Sequence, residues 1–312
     1  DVHSRETEIK RFKIINSLIK GSNETIILSA EALFDRFLKK EVFEKAIIHL
    51  KEGEILDVDG LCEKMVLMGY ERVEQTESPG QFSVRGGIID IFSPVEETAV
   101  RIEMWDDEID TIRTMDVYSQ RSLERCEEAE VFPVSEVIYD DETLKKAIRA
   151  MERDYAMAKD KFESKGMYDE LEKLKHHIGE DIESLKTERR VSSCGRYINY
   201  FYKDTVNILD YIDDDAIVFF CEMQGIKSKC KVAYEEFEES VKSRLEKGYI
   251  IKKEADILFD YTDMIESTKR FDKVILSMLA LGSTDFKLKD IISFDVRTTT
   301  SFNRRIDMFA DE

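Results

Sequence analysis

The chain has 312 residues, and its acidic side chains outnumber the basic ones to give a formal net charge of -20. Such a surface repels polyphosphate, so the composition argues against a chain that binds DNA by itself over its whole surface, although a local basic groove stays open. The first residue is aspartate rather than methionine, and we expect the chain to be a piece of a longer protein.

Two short apolar runs near the start predict buried strands. They are TIILSA over Thr25–Ala30 and AIIHL over Ala46–Leu50. Asp57 is positioned to cap a helix with apolar residues at helical spacing, and Gly69 is positioned to end it. This order of elements is typical of an α/β fold.

The pattern changes at Tyr70. From there to about Val134, strand-like alternation and turn residues dominate, all three prolines of the chain occur, and every basic residue is an arginine. This shift in composition predicts a separate small β-rich domain.

The last part of the chain returns to an α/β pattern. Apolar residues recur at helical spacing over 144–155 and 171–185, which predicts two amphipathic helices. Ala216–Phe220 and Lys273–Leu279 are predicted strands, and a helix over 234–247 separates them. Strand-helix-strand order indicates a parallel sheet.

Five scattered cysteines without a C-x-x-C pair argue against a zinc ribbon or a disulfide framework and favour free thiols in a reducing cytoplasm. No apolar run is long enough to cross a bilayer, and no signal peptide is recognisable. We therefore expect a cytoplasmic location and no membrane partner. The cysteines are Cys62, Cys126, Cys194, Cys221 and Cys230.

The stretch QFSVRGGIIDIFSP, from Gln81 to Pro94, could be a phosphate-binding glycine loop or a hairpin that displays an arginine. Neither G-x-x-x-x-G-K-[ST] nor G-x-G-x-x-G occurs in the chain, and no helix follows Gly87. We therefore expect a hairpin in which glycine supplies a positive φ angle.

The other candidate sites are weak as well. The adjacent pair His176-His177 has no further metal ligand at the right spacing, and the carboxylates of Asp106–Asp110 are typical of a charged hairpin turn. No motif supports a Ser or Cys nucleophile. We predict no catalytic residue, cofactor-binding residue or metal site.

Strand alternation predicts which side chains share a face of the sheet. In QFSVR, Phe82 and Val84 should point inward, whereas Gln81, Ser83 and Arg85 should point outward. In AVRIEMW the inward set is Val100, Ile102 and Met104, and the outward set is Arg101, Glu103 and Trp105. Arg and Trp are enriched at interface hot spots, so this face could bind another protein or cover a neighbouring domain of the same protein.

The two blocks GYERVEQTESPGQFSVRGGIIDIFSP and VRIEMWDDEIDTIRTMDVYSQRS carry a family resemblance. Over about Glu54–Val134 the chain resembles the second domain of the bacterial transcription-repair coupling factors (Mfd). The excision-repair protein UvrB has a similar stretch, but DVYSQRS, over Asp116–Ser122, favours the coupling factors.

The resemblance implies an α/β architecture with an insertion. Residues 1–47, the C-terminal part of a first subdomain, and residues 135–312, with their amphipathic helices, would form a degenerate helicase-like, P-loop-NTPase-like parallel-sheet domain without ATPase function. Residues 48–134 would be the inserted β-rich (α+β) UvrA-binding domain. The resemblance implies no cofactor and no enzyme activity here; ATP and Mg would belong to motor domains of a parent protein, an ATP-dependent DNA translocase.

The resemblance also implies a function, which is to recruit UvrA to stalled RNA polymerase in transcription-coupled nucleotide excision repair. The family's UvrA-contacting residues fall on Arg85, Arg101 and Trp105, with Glu103 as a further candidate. RNA polymerase and DNA would be partners through other domains of the parent. Two alternatives remain: a fragment of a UvrB-type helicase, and a regulatory domain that masks the motor through contact with a C-terminal domain of the parent.

The sequence departs from the family pattern at three positions. Ser93 separates Phe92 from Pro94, Asp106 replaces a frequent glycine, and Trp105 replaces a usual phenylalanine. The first two departures lie at turns and affect the expected loop shape. The third enlarges the aromatic side chain that would meet the partner.

Overall fold

The computed structural model describes residues 5–21, 25–191, 194–279 and 285–294. The contacts divide the chain into a unit of residues Asp1–Leu276 and a second unit of Ser277–Glu312. All helices and strands found among the described residues belong to the first unit. In the second unit, the described residues form neither a helix nor a strand.

Helices hold more of the described residues than strands do. A single π-helical turn, Lys175–Gly179, joins two of the α-helices end to end, and short 3-10 segments connect several others. The α-helices are α1 (Arg5–Ile19), α2 (Lys40–Ala46), α3 (Val58–Leu67), α4 (Asp141–Ser164), α5 (Tyr168–Leu174), α6 (Glu180–Thr187), α7 (Ile198–Phe201), α8 (Met223–Glu246) and α9 (Tyr261–Ser267).

The described strands form three sheets. They are β1 (Ile48–Lys51), β2 (Glu71–Arg72), β3 (Gln81–Arg85), β4 (Ile88–Phe92), β5 (Ala99–Trp105), β6 (Glu108–Asp116), β7 (Arg121–Cys126), β8 (Glu128–Val131), β9 (Ile217–Cys221) and β10 (Asp272–Leu276). The largest sheet has the order β2-β3-β4-β5-β6-β7, and its pairs are antiparallel except for β2 with β3. β1 pairs with β8 in antiparallel orientation, and β9 pairs with β10 in parallel orientation.

The buried apolar side chains form two main clusters. One lies between α3, the β1/β8 pair and the inward face of the six-stranded sheet, and its members fall between Ile48 and Val131. The other joins the helices that precede and follow this segment in the chain. The β-rich region therefore has a hydrophobic core of its own. A third, small cluster of Phe92, Ala99 and Met115 lies apart from both.

The predicted strand over Thr25–Ala30 is wrong. Residues 25–29 form neither a helix nor a strand, and Ala30–Leu33 forms a 3-10 turn. The Ile27 side chain is 92% exposed. A strand needs a neighbour to accept and donate its backbone hydrogen bonds, and among the described residues this segment has none.

Other predicted elements are confirmed. The run at 46–50 forms β1 from Ile48 onward. The Asp57 side chain accepts a hydrogen bond from the Gly60 backbone N–H at 3.1 Å, so it caps α3 as predicted. The helix predicted over 234–247 is α8, which begins earlier, at Met223.

The parallel order β9-α8-β10 is confirmed as a pair of strands. In the part of the chain that the structure describes, no further strand joins this pair. The mixed α/β class therefore holds, whereas a larger helicase-like parallel sheet stays a prediction.

Gly248, the second residue after α8, has a backbone conformation that restricts which side chains fit there. Gly248 has φ +76°, and a Cβ atom there would overlap the backbone carbonyl of Glu170. Gly166 also has a positive φ, of +66°, but a Cβ atom on Gly166 would lie in open space. We expect Gly166→Ala to lower the free energy of unfolding by about 1 kcal/mol through φ alone and Gly248→Ala to lower it by about 2–3 kcal/mol. Urea denaturation followed by circular dichroism measures both; equal losses would contradict the predicted overlap.

Candidate partner-binding face

Two hairpin turns lie at the same end of the six-stranded sheet. Gly86 and Gly87 connect β3 to β4, and Asp106 and Asp107 connect β5 to β6. The backbone N–H of Met104 donates to the carbonyl of Gly87 at 2.7 Å, which ties the hairpins together. Gly86 has φ +60°, so the predicted hairpin with a positive-φ glycine is confirmed.

The second turn has a backbone conformation that suits the glycine expected at position 106 from the family resemblance. Asp106 has φ +57°, in the left-handed region. Asp is one of the few residues other than Gly that enters this region readily, because its short side chain can bond to nearby backbone. The two-residue turn is therefore kept, and the prediction that Asp106–Asp110 includes a hairpin turn is confirmed.

The inward face matches the strand alternation. Phe82 and Ile102 are buried in the cluster beneath the sheet. Val84, Val100 and Met104 are partly buried and pack against the same cluster. These five side chains point inward as predicted.

The outward face near the turns carries one row of paired residues across three strands. Arg85 pairs with Ile88, and Ile88 pairs with Glu103. Directly paired residues project to the same side of a sheet, and so do residues two apart in one strand. Trp105 is therefore on this face as well. We call Arg85, Ile88, Glu103 and Trp105 the tip face.

The tip face is unevenly exposed. The Trp105 side chain is 78% exposed, the Arg85 side chain 43%, and Ile88 is partly exposed. Glu103 accepts a hydrogen bond from the Thr111 hydroxyl at 3.1 Å. An exposed aromatic ring beside a half-exposed guanidinium group can contact another protein through both apolar area and charge-assisted hydrogen bonds.

The next row of the outward face is covered. Ser83 pairs with Asp90, and Asp90 pairs with Arg101. The Thr76 hydroxyl donates to the Ser83 hydroxyl at 3.1 Å and lies 3.2 Å from the Asp90 carbonyl. Ser83 is consequently buried, so its predicted outward direction holds but its predicted exposure does not.

Asp90 joins both arginines. Its fully buried carboxylate accepts from Arg101 Nε at 2.7 Å on one oxygen. The other oxygen accepts from Arg101 Nη2 at 2.9 Å and from Arg85 Nη2 at 2.7 Å. The hydrogen bond that Arg101 donates to Asp90 is the main cause that raises the pKa of Arg101. Asp90 is thus a buried charge that is paired on both oxygens, as buried charges need to be.

Arg101 is less accessible than the sequence predicted. Its side chain is only 11% exposed. In addition to Asp90, it donates to the Gln120 carbonyl at 3.0 Å and lies 2.8 Å from the Met115 sulfur. Strand alternation correctly gives its side of the sheet, but contacts with Gln120 and Met115 leave it little exposed. Most of the Arg101 side chain is therefore inaccessible to a partner protein.

Sequence reasoning missed three residues of this region. Ile88 lies between Arg85 and Glu103 and could have been found by extending the alternation through IIDIF. Asp90 could have been noticed as the lone charge in that apolar strand. Ile55, an exposed residue that pairs with Glu108 beside Trp105, had no signal because it lies outside the strands of the hairpins.

Outside the tip face, the described residues contain no group of three or more His, Cys, Asp or Glu side chains arranged to hold a metal ion. His176 lies 2.8 Å from Glu180, which raises the pKa of the imidazole, whereas burial lowers the pKa of His177. All five cysteines are free. None of the helices in the described ranges is long and apolar enough to cross a membrane.

The segment that carries the tip face matches a known protein family, and the chain is similar to several known proteins. Residues 48–137 match the UvrB interaction domain family. Over its full length the chain is 27% identical to the transcription-repair-coupling factor of Bacillus subtilis (strain 168), of which it covers 26%. It is 27% identical over 97% of its length to that of Staphylococcus aureus (strain MRSA252), covering 25% of it. It is 29% identical over 66% of its length to the UvrABC system protein B of Thermotoga neapolitana, covering 32% of that protein. The chain spans about a quarter of the length of the coupling factors it matches.

Proposed function

Because the chain is a relative of the transcription-repair coupling factors and carries a UvrB interaction domain, we propose that it is a non-catalytic module that recruits UvrA. The tip face would be the docking surface. The observation that carries this proposal is that the exposed Trp105 and the half-exposed Arg85 lie together within the segment that matches the family.

The chemistry of the tip face suits a protein partner. Trp and Arg are the residue types most enriched among interface hot spots. Ile88 and Ile55 add exposed apolar surface next to them, and apolar surface around a charged contact excludes water and strengthens it. The formal charge of -20 makes the chain a poor binder of nucleic acid, which favours a protein partner.

The proposal extends to the parent protein. Residues 1–47 and 135–312 would be the helicase-like domain without ATPase function, with residues 48–134 inserted into it. The parent would be an ATP-dependent DNA translocase whose motor domains bind ATP and Mg and whose other domains contact RNA polymerase and DNA. In that setting the module would deliver UvrA to a stalled polymerase.

A second candidate function is supported by the exposure of Trp105. An aromatic side chain that is 78% exposed is suited to packing against a further domain of the parent, which would mask the tip face and restrain the motor. The full-length parent and this chain would then differ in affinity for UvrA. Equal affinities would exclude masking. A UvrB-type helicase fragment is a third reading, and a phosphate-binding loop upstream in the parent would support it.

Arg85→Ala tests the proposed function. We expect the unmodified chain to bind purified UvrA saturably in titration calorimetry. We expect the variant to bind about 10–100-fold more weakly, because a charge-assisted hydrogen bond at an interface contributes about 1.5–3 kcal/mol. Arg121→Ala is the matched control, since Arg121 is exposed at the opposite end of the sheet, where it pairs with Asp116.

The control variant should bind like the unmodified chain. Equal weakening by Arg85→Ala and Arg121→Ala would point to general charge attraction instead of a docking face. Absence of binding by the unmodified chain would refute the recruitment function.

A further inference from the structure

We propose that Arg85 changes its carboxylate partner when UvrA docks, leaving Asp90 for an acidic side chain of UvrA, while Arg101 stays on Asp90 as a positioning residue. This inference rests on the proposed function and deepens it. It assigns different roles to two arginines that the family resemblance treats alike.

The two arginines hold Asp90 very unequally. Arg101 binds both carboxylate oxygens, through Nε and Nη2, and a third nitrogen donates to the Gln120 carbonyl. Arg85 makes one contact, from Nη2 to a single oxygen at 2.7 Å. The side chain of Arg85 is 43% exposed, against 11% for Arg101. Arg85 is therefore the arginine that can leave.

The departure of Arg85 leaves Asp90 paired. A buried carboxylate without a partner is strongly unfavourable, but Asp90 would keep the two-point contact with Arg101. If Arg101 left instead, fully buried Asp90 would hold only the single contact with Arg85. Arg101 thus keeps low the free energy needed to separate Arg85 from Asp90. This is a positioning role and not a contact with the partner.

The surroundings of Arg85 suit an incoming carboxylate. The next residue, Gly86, begins the hairpin turn, and apart from its two neighbours in the chain no residue has an atom within 4 Å of the point where its Cβ would be. Ile88 pairs directly with Arg85 across the hairpin and is partly exposed. A partner covering Ile88 and Trp105 would exclude water from the new ion pair, which strengthens it.

A double variant separates the two roles. Asp90→Asn/Arg101→Gln removes the buried charge pair and leaves two amides that can bond to each other. We expect it to bind UvrA within about threefold of the unmodified chain or more tightly, because Arg85 no longer has a competing carboxylate. Arg85→Ala should weaken binding at least tenfold in both backgrounds. A tenfold loss in the double variant, with its fold intact, would mean that Arg101 itself contacts UvrA and would overturn the proposal.

The single variant Arg101→Gln is the stability control. It leaves Asp90 with one partner, and we expect its melting temperature to fall by about 5–10 °C. The double variant should recover most of that loss. Recovery of stability together with unchanged binding is a result that a direct contact by Arg101 does not produce.

A measurement on the unmodified chain does not depend on the variants folding. Phenylglyoxal modifies accessible arginines, and mass spectrometry reports each site. We expect UvrA to protect Arg85 at least fivefold and to leave Arg121 unchanged. An unchanged rate at Arg85 in the saturated complex would overturn the exchange. If the unmodified chain does not bind UvrA at all, the proposed function fails first, which calorimetry reveals before any variant is made.

Discussion

Replacing Arg196 with methionine is expected to lower the free energy of unfolding by about 3–5 kcal/mol at neutral pH. Arg196 Nε lies 2.5 Å from the Oε1 atom of Glu254, a buried residue. The other carboxylate oxygen accepts from the Ile251 backbone N–H at 2.8 Å. Methionine keeps much of the apolar volume of arginine but leaves a buried carboxylate without its cation. Urea denaturation followed by circular dichroism measures the loss.

The loss in this variant should grow with pH. Burial is the main cause that raises the pKa of Glu254, and Arg196 opposes it. Without Arg196 the folded-state pKa rises further above the unfolded value of about 4.3. The folded state then binds the proton more tightly than the unfolded state does, so stability falls as pH rises above that value and levels off beyond the folded pKa.

The control for this prediction is the double variant Arg196→Met/Glu254→Gln. It carries no buried charge at this site, so we expect its stability to exceed that of the single variant at pH 8 and to lose the added pH dependence. A deficit in Arg196→Met that is equal at pH 5 and pH 8 would show that the destabilisation comes from packing and not from the uncompensated carboxylate.

Trp105→Ala is expected to weaken UvrA binding by about 2–4 kcal/mol, or about 30–1000-fold, if Trp105 is a hot spot of the tip face. Its exposed ring contributes little to the fold, so the free energy of unfolding should change by less than about 0.5 kcal/mol. Trp105→Phe should retain most of the affinity, since it keeps an aromatic ring and the family resemblance implies phenylalanine at this position. Titration calorimetry and urea denaturation give the two quantities.

Tyr118→Ala is the matched aromatic control. Tyr118 is 96% exposed and lies in the turn between β6 and β7, at the other end of the sheet from Trp105. We expect its removal to leave UvrA binding unchanged. Equal losses for the two aromatic variants would move the docking surface away from the tip face, and unchanged binding by Trp105→Ala would support a masking contact within the parent.

The inward and outward sides of the hairpin strands were predictable because side chains alternate with a period of two along any strand. The same local rule put Arg85 and Trp105 on one face. The turns were predictable because glycine at position 86 meets a backbone requirement that few other residues can meet. The contact of Arg85 and Trp105 with UvrA stays a prediction, since it depends on a molecule outside the chain.

Exposure was less predictable than direction. Arg101 and Ser83 lie on the predicted side, yet Thr76 covers Ser83 and Gln120 contacts Arg101. Gln120, which donates to the Thr76 carbonyl at 3.0 Å, comes from 44 residues further along the chain. The predicted strand over Thr25–Ala30 was wrong for a different reason. Its composition suits a strand, but among the described residues no other strand pairs with it.

Local sequence was sufficient to predict the β-rich character of the central region, the hairpin turns and the side of the sheet to which the hairpin residues point. These properties depend on backbone sterics and on residues close together in the chain. Three relations required the folded structure: Asp90 is shared by two arginines, Arg101 is covered while Arg85 is half exposed, and Ile55 pairs with Glu108 beside Trp105. These relations depend on which distant segments pack against the sheet, and burial is set by that packing and not by local pattern.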